Sequence, residues 1–303
     1  MDNMNCSLET GICGSSTDHA MDIIDFNQND NKVTLYYFTD PICSHCWALE
    51  PVLNRFIEQY GHYFKLSIVM GGLLPSWSGF ADRANGIRKP ADVAAHWREV
   101  GDHSRMPIDG TLWLDNPIQS SYPVSRVFKV IQSQNEAYSS SFLRQAREAV
   151  FAFNKNVGDE QVLEDIVNRI GYDGNDIVEQ AGTEHAQKLL EMDFDLTRNF
   201  GVTGFPTVTF VNEANQGIKV VGAQSLETYV GALSKVRNEA PAPIRTPTLH
   251  DWLKKGHLHL FSKEIEIMYD LSKESVHSFI QESLPDNYYR IQHILGEAYL
   301  ERT

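Results

Sequence analysis

The stretch Val33-Thr34-Leu35-Tyr36-Tyr37-Phe38-Thr39-Asp40-Pro41-Ile42-Cys43-Ser44-His45-Cys46 decides the fold. Its first six residues are mostly apolar and aromatic and read as a strand, Thr39-Asp40-Pro41 reads as a turn, and Trp47 to Tyr60 carry helical spacing. A Cys-x-x-Cys pair at a strand-to-helix junction sets its first sulfur on the helix N-terminus. There, unpaired backbone N–H groups and the helix dipole favour a thiolate. Cys43 is the expected nucleophile and Cys46 the resolving thiol. His45, between them, can supply positive charge or a hydrogen bond that lowers the Cys43 pKa further.

Working outward, the helix ends near Gly61, and Tyr63 to Met70 reads as a second strand closed by Gly71-Gly72. This is a βαβ unit, so its strands should be parallel. From Pro75 to Asn199 the patterns are mostly helical, over Asp92 to Val100, Pro123 to Gln134, Ser141 to Phe153, Glu160 to Ile170 and His185 to Phe200. The sheet resumes after Gly201-Val202-Thr203-Gly204-Phe205-Pro206-Thr207, with a strand from Val208, a hairpin to Gly217 to Val221, and a helix from Leu226 to Val236. Pro241-Ala242-Pro243 and Thr246-Pro247 form a stiff linker. Helices are then expected from Trp252, Ser262, Ser272 and Tyr288. The expected organisation is a flexible arm (1–30), an α/β sheet domain (31–74 and 200–238), an inserted helical domain (75–199), a Pro-rich linker (239–248) and a small C-terminal helical appendage (249–303).

A chain of 303 residues with 42% apolar content can bury a substantial core. Its net charge of −14 argues against nucleic acid and anionic membrane surfaces as partners. Met1 to Asp25 lack the basic and apolar regions of a signal peptide, and no segment approaches a membrane span, so a cytoplasmic location is expected. Four cysteines are too few for a disulfide scaffold. Cys6 and Cys13, in the polar arm, are candidates for zinc ligation or a redox-sensitive disulfide, but the arm shows no completing ligand set. No metal is therefore assigned, and thiol chemistry at Cys43 requires no organic cofactor.

Pro206 lacks an N–H. In a cis bond it would present the preceding backbone to a substrate and keep the site from binding metal. With Cys43, Cys46 and His45 it makes the candidate catalytic set, and Phe205, Thr207, Ser44 and Trp47 are the candidate substrate contacts. Trp47 also suits the core. Trp77, Trp97 and Trp113 are candidates to line a groove above Cys43. Asp40 is read as a proton relay or a turn former, and Glu50 as a solvated helix face.

The segment Asp40-Pro41-Ile42-Cys43-Ser44-His45-Cys46-Trp47, the helical insertion and the Gly201 to Thr207 loop together resemble the DsbA-type thioredoxin-fold family, over roughly 33 to 236. The fold class implied is α/β: a thioredoxin-like fold with an inserted helical domain. Ser121-Tyr122-Pro123 and the extension after Pro247, above all Ser262-Lys263-Glu264-Ile265-Glu266-Ile267-Met268-Tyr269, are similar to the group of ClpXP adaptors called SpxH (YjbH). The first resemblance implies disulfide exchange with a protein or peptide through Cys43. The second implies binding of the transcription regulator Spx for degradation by ClpXP. The loop before Pro206 is closer to the DsbA-type form, and the reading taken from the sequence is a cytoplasmic thiol–disulfide oxidoreductase, with the SpxH-like adaptor as its competitor. A related group that isomerises aromatic compounds with glutathione carries a serine where this chain keeps Cys43, and ranks third.

Overall fold

In the computed structural model, residues 6–7, 12–13, 33–82, 85–255 and 258–303 are described. Strand β1, Val33–Thr39, leads through the Asp40-Pro41 turn into α1, Ser44–Tyr60, and back along β2, Phe64–Met70. β1 and β2 pair in parallel along their whole length, from Val33 opposite Phe64 to Thr39 opposite Met70. β3, Thr207–Val211, lies antiparallel on the other side of β1, and β4, Gly217–Val221, completes a sheet ordered β2-β1-β3-β4. The central position of β1 explains its residues: it is buried on both faces, so it needs apolar bulk at nearly every position rather than strict alternation.

Between β2 and β3 the chain makes a helical layer of α2 (Pro90–Ser104), α3 (Leu112–Asp115), α4 (Tyr122–Gln134), α5 (Glu136–Arg147), α6 (Glu160–Arg169), α7 (Gly174–Ala181) and α8 (Glu184–Asn199). Starts are set by side-chain caps: Asn135, Asp173 and Thr183 accept from the backbone N–H groups of Ala137, Asp176 and Ala186. α5 runs on as a π-helical turn, Glu148–Ala152. One continuous core joins sheet and insertion. In it, Phe56 of α1 stacks on Phe64 and meets Phe210 edge-on, and Trp47 stacks on Phe151. α9, Leu226–Arg237, closes the sheet unit.

Residues 239–248 are extended and tied to the end of α1: Ala242 N–H donates to the Tyr63 hydroxyl, Ile244 N–H to the Gln59 carbonyl, and the Gln59 amide to Thr246 Oγ1. Beyond them the structure corrects the reading of the C-terminal appendage as purely helical. α10 (Leu249–Lys254), α11 (Ser262–Tyr269) and α12 (Val276–Ser283) are present, but His259–Phe261 is strand β5. The expected final helix from Tyr288 is instead a hairpin of β6 (Tyr289–Ile294) and β7 (Glu297–Arg302). The three strands form a second antiparallel sheet, ordered β5-β7-β6. The physical reason is the turn. Leu295 and Gly296 both take positive φ, as a two-residue hairpin turn requires, and Tyr289 and Leu300 face a separate small core with Trp252 and Ile265.

Candidate functional site

Cys43 caps the N-terminus of α1, and its sulfur accepts from the Cys46 N–H at 3.2 Å. The Cys43 carbonyl receives the N–H groups of Cys46 and Trp47. The two cysteines are joined as a disulfide, with Cα atoms 5.2 Å apart. Cys43 keeps 5% of its surface exposed and Cys46 none, so an external thiol reaches Cys43 first. The Phe205–Pro206 peptide is cis.

Cys43 opens onto a cavity of about 690 Å³. Its walls come from the motif (Ile42, Ser44, His45), from the insertion (Leu73, Leu74, Trp77, Phe80, Trp97, Trp113) and from Thr203, Gly204 and Phe205. The three tryptophans interlock: Trp113 meets Trp77 and Trp97 edge-on, with ring centres 5.9 and 5.1 Å apart. Gly71 lets the Phe205 ring lie across the end of β2, since a Cβ there would fall 1.9 Å from Phe205 Cζ.

The structure thus brings Cys43, His45, Ser44 and Phe205 to one cavity and puts two candidate contacts elsewhere. Thr207 is buried and its hydroxyl donates to the Gly204 carbonyl at 2.8 Å, which shapes the loop from behind. Trp47 is fully buried, donates its indole N–H to the Pro107 carbonyl and packs against Phe151 and Phe261, so it belongs to the core and not to a substrate surface. His45 faces solvent at the cavity wall. Burial first, and then the nearby charge of His96, push its pKa down, which works against the positive charge and leaves the hydrogen bond as the other of its two expected contributions.

Cys6 and Cys13 stand opposite each other where Cys6–Ser7 pairs with Ile12–Cys13, and their side chains lie outside the described residues, as does the rest of the 1–30 arm. Among the described residues no cluster of His, Cys, Asp and Glu is arranged to hold a metal ion, and no helix is long and apolar enough to cross a membrane.

Of two acids named from the sequence, Asp40 takes the turn-forming role and Glu50 departs from its expected place. Asp40 is fully buried; its Oδ1 accepts from Ile42 N–H, and its Oδ2 from Leu73 N–H at 2.8 Å and from the Ser121 hydroxyl at 2.9 Å. One carboxyl therefore ties the motif turn to the cavity wall and to α4. Burial raises its pKa to about 6, against the pull of those bonds and of Arg147. Glu50, read as a solvated face, is buried and bridges Arg144 and Arg147, each at 2.7 to 2.8 Å. Arg144 also binds Glu148 at 2.6 Å and holds Glu264 of α11 in a two-pronged pair at 2.6 and 2.8 Å, and its guanidinium lies over the Trp47 ring. Arg147 donates to Thr39 Oγ1 and to the Asp40 carbonyl. A chain of charged groups thus runs from the motif turn to the appendage. Only partner geometry shows this, because nothing in the spacing of Glu50 separates a buried from a solvated carboxylate.

Comparison with known proteins accords with this architecture. The family model described as Thioredoxin matches residues 36–231. The ClpXP adapter protein SpxH of Halalkalibacterium halodurans is 32% identical over 270 residues, covering 88% of this chain and 87% of that one. The SpxH of Bacillus subtilis is 32% identical over 246 residues, covering 80% of each. Among solved structures, a putative protein disulfide isomerase from Nitrosomonas europaea superposes with a TM-score of 0.56 at 18% identity, covering 75% of this chain and all of that one. The cytosolic disulfide reductase DsbM from Pseudomonas aeruginosa gives 0.52 at 17% identity, covering 68% and 95%. At such identities these structures speak to the fold alone. With the sheet order, the Cys43–Cys46 disulfide at the start of α1 and these matches in place, the chain belongs to the SpxH family of thioredoxin-fold proteins.

Proposed function

We propose that this protein is an adaptor of the SpxH kind, which binds a Spx-like transcription regulator in the cytoplasm and presents it to the ClpXP protease. The supporting observation is the reach of the similarity. A 270-residue match to a relative named as a ClpXP adapter is too long to fit before the appendage begins at Leu249, so it takes in the appendage as well as the thioredoxin unit. The appendage is also held against the rest of the chain by ion pairs, which supports its use as a fixed surface: Arg144 grips Glu264, Arg105 grips Glu266 and Glu297, and Arg55 grips Asp270. The test is a reconstituted degradation reaction with purified ClpXP and a Spx-like regulator. Adding this protein is expected to accelerate loss of the regulator, and an unchanged rate with no detectable complex refutes the reading.

A second reading stands beside it, because the site at Cys43 has what thiol–disulfide exchange needs. Its sulfur sits on a helix N-terminus, is the more exposed of the pair and opens on a cavity. In the oxidising direction a client thiolate attacks Cys43 Sγ, forming a mixed disulfide while the Cys43–Cys46 bond breaks and Cys46 leaves as a thiolate. A second client thiolate then displaces Cys43. Two client thiols become one disulfide, the protein pair takes up two electrons, and two protons are released to the pair or to solvent. Helix-terminal stabilisation of the Cys43 thiolate favours the reduced pair, so a potential between about −120 and −200 mV is expected in graded glutathione mixtures. Failure of the pair to cycle reversibly would remove this reading and leave the adaptor.

A further inference from the structure

The cavity beside Cys43 is larger and more aromatic than exchange between two sulfurs requires. Five aromatic side chains, Trp77, Phe80, Trp97, Trp113 and Phe205, wall a space of about 690 Å³, and among the described residues no lysine or arginine lines it. The charged or titratable wall groups beyond Cys43 are Asp82, His45 and His96. Such a lining rewards a flat apolar ring. Trp113 is buried in that wall at 3% exposure, and the neighbouring Trp77 is held by its indole N–H, which donates to the Ile118 carbonyl. At the mouth, the side of Gly204 where a Cβ would stand is open, with no atom within 4 Å, so an extended chain has room to pass beside Cys43.

We propose that this cavity receives a large aromatic side chain adjacent to the reacting cysteine of an extended protein segment, and so selects client cysteines by their neighbour. The proposal rests on the exchange reading and deepens it. The ring enters among Trp77, Trp97 and Trp113, and the segment's cysteine thiolate is thereby brought to Cys43 Sγ. The electron balance is that given above, with the segment supplying both thiols.

The test uses the oxidised full-length protein and two capped peptides that each contain two cysteines and differ only in a tryptophan or an alanine after the first cysteine. Thiols are trapped in acid over time, with glutathione and dithiothreitol as further reductants. The tryptophan peptide is expected to reduce the protein at least about tenfold faster than the alanine peptide, a ratio typical of one well-filled apolar pocket. Phe80→Ala, which opens the wall, and Ala81→Trp, which fills the space from an exposed position, should each narrow the ratio to below about threefold, a loss of roughly half of the preference in free-energy terms. Having both variants guards against collapse of one. Equal rates for the two peptides, with dithiothreitol reducing the pair normally, overturn this proposal alone. A pair that dithiothreitol cannot reduce and oxidant cannot restore overturns the exchange reading and this proposal with it.

Discussion

At its N-terminal end α1 meets the cavity, which is lined by aromatic rings and by Cys43 of the disulfide. Along the flank that carries Glu50 and Arg55, the same helix meets the appendage through ion pairs: Glu50 binds Arg144, which holds Glu264, and Arg55 donates to the Ile267 carbonyl and to Asp270. In the first region Cys43 keeps 5% of its surface exposed beside the cavity. In the second, Arg144 alone engages Glu50, Glu148, Glu264 and the His259 carbonyl. The first region thus presents an accessible sulfur beside a cavity, whereas the second holds two parts of one chain together. Burying charge repays its desolvation cost only when every partner is present, so the second region behaves as a unit.

The sharpest way to break the comparison is to remove Arg144. Arg144→Met keeps the bulk over Trp47 but takes from Glu264 its buried cation and leaves Glu50 to Arg147 and Glu148 to His259, and should cost about 3–5 kcal/mol of unfolding free energy by urea denaturation. A loss below about 1 kcal/mol would show that the network is not a structural unit.

Asp40 sits where the two regions meet, and its pH dependence sharpens the distinction. Its folded pKa of about 6 lies above the ordinary value of 3.8, so the folded protein holds a proton that the unfolded chain releases. The stability it contributes is therefore greatest below pH 3.8 and falls as pH rises to about 6. Between pH 4.5 and 7 the wild type should lose about 2 kcal/mol relative to Asp40→Asn. Parallel pH profiles would contradict the assignment of Asp40 as a buried acid.

A comparable loss, of about 2 kcal/mol, is expected for Arg105→Ala, which leaves the carboxylates of Glu266 and Glu297 without their main partner. Burial works against the charged form of Glu297, but bonds from Arg105, Lys273 and Ser262 outweigh it and hold its pKa at about 2. The sign is opposite to that of Asp40. This clamp is complete above the ordinary glutamate value of 4.5 and fails as pH falls towards 2, so acid should expose residues 239–248 to protease before the sheet unfolds. Simultaneous loss of both would contradict separate stabilities. The smallest effect belongs to Asp270→Ala, whose carboxylate is 75% exposed, at about 0.5–1 kcal/mol.

The parts legible in the sequence were those where one local signal suffices. The β1–α1–β2 unit was marked by apolar runs flanking the Cys-x-x-Cys turn, and the β3–β4 hairpin by the strand after Pro206. The β6–β7 hairpin was missed because its turn is Leu295-Gly296, without the Asn or Asp that usually marks positive φ at the first position, so Ile291, Ile294 and Leu295 mimic helical spacing. α7 was missed because it is short, from Gly174 to Ala181, and opens with a residue that disfavours helix. In the site, Cys43, Ser44, His45 and Phe205 were found by motif. Glu50 was read as a solvated face and Arg144 was not named, because their roles arise from partners distant in sequence, such as Glu264 for Arg144. Trp47, read both as a core residue and as a substrate contact, lies in the core, where its indole N–H donates to the Pro107 carbonyl of the insertion.

The central claim is that client presentation and sulfur chemistry are separable functions of one fold. The most direct measurement is the rate at which ClpXP degrades a Spx-like regulator in the presence of the Cys43→Ala/Cys46→Ala double variant, compared with the wild type. The account predicts rates within about twofold of each other, because the appendage and its charged docking do not involve the cysteines, a difference worth less than half a kcal/mol. Loss of stimulation by a folded double variant would show that delivery passes through the disulfide, and would contradict the account.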